Sequence, residues 1–77
     1  MMQVSRTSNG FSVTATAAVT VVFTTDPFDN DRPAVEIWCE ALLLHTPIEI
    51  ISCDNRGYLA RLAYQHARDW AREPRVW

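Results

Sequence analysis

Residues 11–25 constrain the fold of this chain more than any other stretch, because their side chains alternate in character, broken only by Ala18 and Val22 among the even positions up to Thr24. The odd positions Phe11, Val13, Ala15, Ala17, Val19, Val21 and Phe23 are all apolar, whereas Ser12, Thr14, Thr16, Thr20 and Thr24 carry hydroxyls. Successive strand side chains point to opposite faces, so the alternation builds one face to bury and one wetter face. Val, Thr and Phe also suit a pleated, half-buried surface. The stretch reads as one long amphipathic strand, with a dividing bulge or bend as the alternative for a strand of this length.

The rest of the chain is placed around that strand. Met2 to Arg6 reads as a short first strand, and Asn9-Gly10 is a strong hairpin signal because both residues tolerate positive φ. A two-residue turn there predicts the pairs Ser8–Phe11, Arg6–Val13, Val4–Ala15 and Met2–Ala17. The long strand then overhangs its partner from Ala18 to Thr24. That overhang is expected to meet residues 48–53 or, through its open edge, a second copy of the chain. Residues 26–32 read as a polar loop. Pro33 suits the first turn of a helix running to about His45 and ending before Pro47. Ala34, Ile37, Trp38, Ala41 and Leu42 give that helix an apolar stripe, widened by Val35, Cys39, Leu43 and Leu44, with Glu36 and Glu40 on the outer face. Ile48 to Cys53 reads as a strand, and Asp54 or Asn55 as the cap of a second helix over residues 57–73, closed by Pro74. Leu59, Leu62, Ala63, His66, Ala67 and Trp70 form its inward stripe. The expected architecture is one α+β domain over residues 1–77. It is a small single-layer sheet of about three largely antiparallel strands, in the order β-β-α-β-α, with two helices packed on one face.

At 77 residues a single core is only just sufficient, and an apolar share of 48% is too high for a disordered chain. The net charge of −2 hides a gradient: +1 over residues 1–25, −6 over 26–54 and +3 over 55–77. Such poles point to charged partners or to each other. The two cysteines are fewer than a small secreted domain carries. No basic leader with an apolar run opens the sequence, and no apolar stretch approaches the ~20 residues that span a bilayer. A cytoplasmic protein without a membrane partner is expected.

Candidate chemistry is sparse. Cys53 lies between a strand and a helix start, where a thiol pKa is lowered, with Arg56 nearby. However, the residue that a phosphatase-type Cys-x5-Arg loop would make Arg is Leu59, so a small buried thiol is the simpler reading. Cys39, Cys53, His45 and His66 have no compact metal-ligand spacing, and Asp26, Asp29 and Asp31 lack the remaining ligands and the glycine of a calcium loop. No catalytic residue, metal or other cofactor is expected. Arg61, Arg68 and Arg72 fall on one outer helix face, continued by Arg75; a solvated face with favourable helix-end charge is the simpler reading, and contact with phosphates or an acidic protein the alternative. Asp26, Asp29, Asp31, Glu36 and Glu40 form the opposing acidic group, and Trp77 either packs back on the domain or anchors a partner. These residues lead to a non-enzymatic protein-interaction module that docks onto a larger protein or complex as an inhibitor or regulator. Small anti-defence proteins of phages and mobile elements have this general character. The alternatives are nucleic-acid binding through the arginine face and a small thiol enzyme using Cys53. The acidic overall charge and the lack of stacking aromatics beside the arginines weigh against nucleic acid.

Overall fold

The computed structural model describes residues 2–26, 28–40 and 45–73. Five strands, β1 (Gln3–Thr7), β2 (Gly10–Thr14), β3 (Ala18–Asp26), β4 (Arg32–Cys39) and β5 (Glu49–Ser52), precede one helix, α1 (Arg56–Arg72). Each strand pairs antiparallel with the next, so the sheet order is the chain order. A five-stranded meander with a single described helix replaces the expected three strands and two helices. The single-layer α+β character remains.

The long strand over residues 11–25 is a hairpin. β2 and β3 pair with each other, Val13 opposite Val19 and Phe11 opposite Val21, around a turn at 15–17. Directly opposed residues share a face, and this register pairs odd with odd positions. The apolar alternation therefore passes through the turn unbroken, which is why the sequence looks like one strand. Val13, Val19 and Val21 are fully buried on the common face. β2 lies between β1 and β3, and β3 has β4 along its other side, so the expected free edge is covered as far as Val22, while Thr24 to Asp26 pair with β4 alone. The outer strands are β1 and β5.

The first hairpin forms, but two residues out of the predicted register. Val4 stands opposite Val13 and Arg6 opposite Phe11, so Ser8 and Asn9 make the connection. A two-residue shift keeps every side chain on its predicted face. Neither Asn9 nor Gly10 takes a positive φ. Gly10 serves close approach instead: a Cβ there would lie 1.9 Å from the Val21 carbonyl oxygen. The Asn9 carbonyl accepts the Phe23 N–H at 2.8 Å, which draws the two backbones together.

The second correction is β4, expected as a helix over 33–45. Residues 32–39 are strand, and residues 41–44 lie outside the described residues. Two periodicities overlap here. Ala34, Ile37 and Trp38 fit a helical stripe, but Val35, Ile37 and Cys39 also alternate with Glu36 and Trp38. The β-branched and aromatic side chains, and two neighbouring strands ready to pair, decide for the sheet. Val35 and Ile37 are fully buried and Cys39 nearly so. β4 takes the place beside β3 that the sequence offered to β5; β5 pairs with β4 instead, Val35 opposite Ile51 and Ile37 opposite Glu49.

The helix α1 matches its expected position. The Asn55 side chain caps it by accepting the Tyr58 N–H at 3.0 Å. Leu59, Ala63, Ala67 and Ala71 are its buried seam, set against Val13, Val19, Val21, Val35 and Ile37. Leu62, His66 and Trp70 sit at the margin rather than in the seam. The alanines let the helix lie close to the sheet, and the Ala71 carbonyl accepts the Ala17 N–H at 2.9 Å. The 15–17 turn thereby satisfies one of the carbonyls that a helix end leaves without an internal donor. No described helix is long and apolar enough to cross a membrane.

Gly10→Ala tests the close approach of β2 and β3. The added methyl meets backbone rather than a movable side chain, so a loss of at least about 2 kcal/mol is expected in urea denaturation, the range of overpacked cores. Gly10→Ala with unchanged stability would show that these strands do not meet as described.

Candidate functional site

Two features stand out, one on each side of the sheet. The first is a groove of ≈ 690 Å³ between β5 and the C-terminal half of α1, lined by Ile48, Glu49, His66, Asp69, Trp70, Arg72 and Glu73. Glu49 occupies an inward position of β5, opposite buried Ile37, where a carboxylate needs partners. α1 supplies them from one flank, because His66 and Trp70 are one turn apart. His66 Nδ1 lies 2.7 Å from Glu49 Oε2, and Trp70 Nε1–H donates to Glu49 Oε1 at 3.2 Å. Both carboxylate oxygens are thus engaged. With the proton on Nδ1, the imidazole keeps Nε2 as its remaining acceptor.

This cluster has an oriented histidine, but no Ser, Thr or Cys side chain hydrogen-bonds to it among the described residues. Nor does any group of three or more His, Cys, Asp or Glu among them suit a metal ion. Its evident work is to fasten the helix flank to the short strand β5. The sequence signal for it was available: an acid at an inward strand position and two N–H donors at i, i+4 on the facing helix.

The second feature is the sheet face opposite α1. Thr20, Val22, Glu36, Trp38 and Ile50 belong to it by strand alternation, and Val22, Glu36 and Ile50 stand side by side across three strands. No described element covers this face. Ile50 is 63% exposed, while Trp38 is half-buried and donates through Nε1 to Glu36 Oε1 at 3.3 Å. The carboxylate tethers the indole against the sheet.

The predicted acidic residues are not brought together. Asp26, Asp29 and Asp31 belong to the β3–β4 connection and its approach. Glu36 is on the open face, and Glu40 follows the far end of β4. Four residues along a strand separate Glu36 from Glu40 by about 13 Å, against about 6 Å in the expected helix. Asp29 is occupied by Arg32, whose Nη1 donates to Oδ2 at 3.3 Å, while Arg32 Nε lies 3.0 Å from Asp54 Oδ1. The hydrogen bond to Asp29, and then the charge of Asp54, hold the Arg32 guanidinium above its ordinary pKa. Asp26 Oδ1 accepts the Phe28 N–H at 3.0 Å.

The arginines do share the outer face of α1, with Arg61 and Arg72 exposed. Arg68 instead lies back over the Tyr64 ring, 5.7 Å from its centroid. Arg75 and Trp77 lie outside the described residues. Cys39 is a buried free thiol and Cys53 a half-buried one. The Cys53 N–H donates to the Pro33 carbonyl at 3.0 Å, extending the β4–β5 ladder. Comparison with protein-family models, curated proteins and solved structures gave no match.

A double-mutant cycle on Glu49→Ala and His66→Ala tests the fastening of α1 to β5. The two side chains are partly exposed, so a coupling of roughly 0.5–1 kcal/mol is expected, with each single variant lowering the melting temperature by a few degrees. Additive losses would mean that the contact contributes nothing.

Proposed function

We propose that this chain is a small protein-interaction domain that docks onto a larger protein through the open face of its sheet, as an inhibitor or regulator. The observation that carries this reading is the apolar group set around Glu36 on that face. Val22 and Ile50 flank Glu36 across three strands, with Trp38 beside them and no described element over them. An antiparallel sheet commonly keeps one face wet, but a wet face is normally threonine and charge rather than an exposed isoleucine beside an indole. Aromatic and aliphatic anchors surrounded by hydroxyls describe the centre and rim of an interface. Thr14, Thr20, Thr24 and Ser52 would be the rim.

Size supports a modest contact. Five strands about 4.8 Å apart and four to nine residues long offer a projected face on the order of 500 Å². That is below the ~800 Å² per partner of a standard interface, so loops at the sheet ends would have to join it.

The test is capture from native lysate with the tagged wild-type chain and with Ile50→Arg, each with and without nuclease. Ile50 is exposed, so its replacement leaves the fold intact, as circular dichroism would verify. One dominant protein held by the wild type, resistant to nuclease and lost with Ile50→Arg, is the expected result. Capture that Ile50→Arg leaves unchanged would refute docking through this face. Capture that vanishes with nuclease would transfer the role to the arginine face of α1.

A further inference from the structure

The end of the molecule that carries the β3–β4 connection presents an aromatic side chain and, beside it, a groove that its own chain leaves unfilled. Phe28 is 98% exposed, a rare state for a phenylalanine. The described residues of the connection are held by hydrogen bonds. Asp26 Oδ1 accepts the Phe28 N–H at 3.0 Å, and the Asp29 carbonyl accepts the Arg32 N–H at 2.9 Å. The left-handed turn at Asn30 (φ 51°) and Asp31 (φ 54°) uses residue types that tolerate it.

The groove lies where the first turns of α1 meet the ends of β3 and β4. It has a volume of ≈ 550 Å³ and is lined mainly by Phe23, Thr24, Pro33, Arg56, Leu59 and Ala60. Phe23 packs on Phe11 at 6.0 Å between centroids yet stays 42% exposed toward the opening. An apolar cavity of roughly 150 Å³ already accepts benzene, so the groove has room for a benzyl group.

Charge identifies the occupant. Arg56 stands at the rim, exposed, with no acidic residue in the first turn of α1 and no ion-pair partner among the described residues. A ligand that suits this groove is an aromatic side chain flanked by carboxylates. The same chain displays that ligand, since Phe28 lies between Asp26 and Asp29, with Asp31 close behind. Donor and acceptor sit at the same end of the molecule. A single two-fold axis there lets each copy insert its Phe28 into the other's groove, with both contacts made at once. We infer that two copies of this chain associate by reciprocal insertion of Phe28 beside Phe23 and Leu59, steered by Asp26 and Asp31 of one copy facing Arg56 of the other.

Sedimentation equilibrium of the full chain over a concentration series, at low and high salt, tests this. A species of twice the 8.8 kDa chain mass that weakens with salt is expected. Phe28→Ser should raise the dissociation constant at least ~30-fold, the effect of losing a buried aromatic anchor. Because the Phe28 side chain is 98% exposed in its own copy, and its N–H bond to Asp26 survives the substitution, the variant's thermal melt should be that of the wild-type monomer. Arg56→Glu should weaken the dimer and remove its salt dependence. A chain that stays monomeric up to millimolar concentration would overturn the inference, as would a dimer indifferent to Phe28→Ser. A monomer whose Phe28 is instead needed to hold a different protein would overturn it too, by assigning the aromatic to that partner.

Discussion

The β3–β4 ladder is the constraint on which the other elements depend. Eight residue pairs, from Val19 opposite Cys39 to Asp26 opposite Arg32, make it the longest register in the sheet. It puts Val19, Val21, Val35 and Ile37 on the face that meets α1, where they are fully buried. Each such side chain contributes on the order of 1.5–3 kcal/mol relative to exposure. The same register puts Val22, Glu36 and Trp38 on the opposite face. β2 and β5 then join as the flanks of a central pair. Core, open face and terminal groove all follow from where β4 lies.

The helix completes one side of this arrangement by being narrow. Ala63, Ala67 and Ala71 follow one another at single-turn intervals, so the backbone of α1 approaches the sheet closely while Leu59 fills the wider space at its start. The Glu49–His66–Trp70 cluster on one flank and Phe11–Tyr64 on the other hold the helix from both sides. One helix covers one face of β2 to β5, while β1 lies outside it with Val4 54% exposed. The other face is left to solvent or a partner among the described residues, and the functional reading rests there.

Much of this was legible in the sequence, and the failures have physical causes. The alternation at 11–25, the Asn55 cap and the strand near Ile50 each reflect local chemistry that the fold respects. The turn at 15–17 was hidden because Ala-Thr-Ala carries neither Gly nor Pro, and because its register preserves the odd-even parity on both arms. Pro33 and the spacing of Ala34, Ile37 and Trp38 imitate a helix start, while pairing to β3 and β5 is non-local and leaves only the Val35–Ile37–Cys39 alternation as a trace. At Gly10 the backbone needs the missing Cβ and not the freedom in φ that the Asn-Gly pair suggests. For the site, type and place had to coincide. Phe28 was one more residue in a polar loop, and Glu49 an ordinary acid, until the topology put an apolar groove beside one and His66 opposite the other.

The most direct test is a nuclear Overhauser spectrum of the full chain, read across residues 32–39. Cross-strand backbone contacts linking Val21 to Ile37, Phe23 to Val35 and Val35 to Ile51 are the expected result. They would place β4 between β3 and β5 and with it both surfaces described above. Sequential amide contacts with i, i+3 connectivities over residues 34–39 would instead establish a helix there, and the open face and the terminal groove would both disappear.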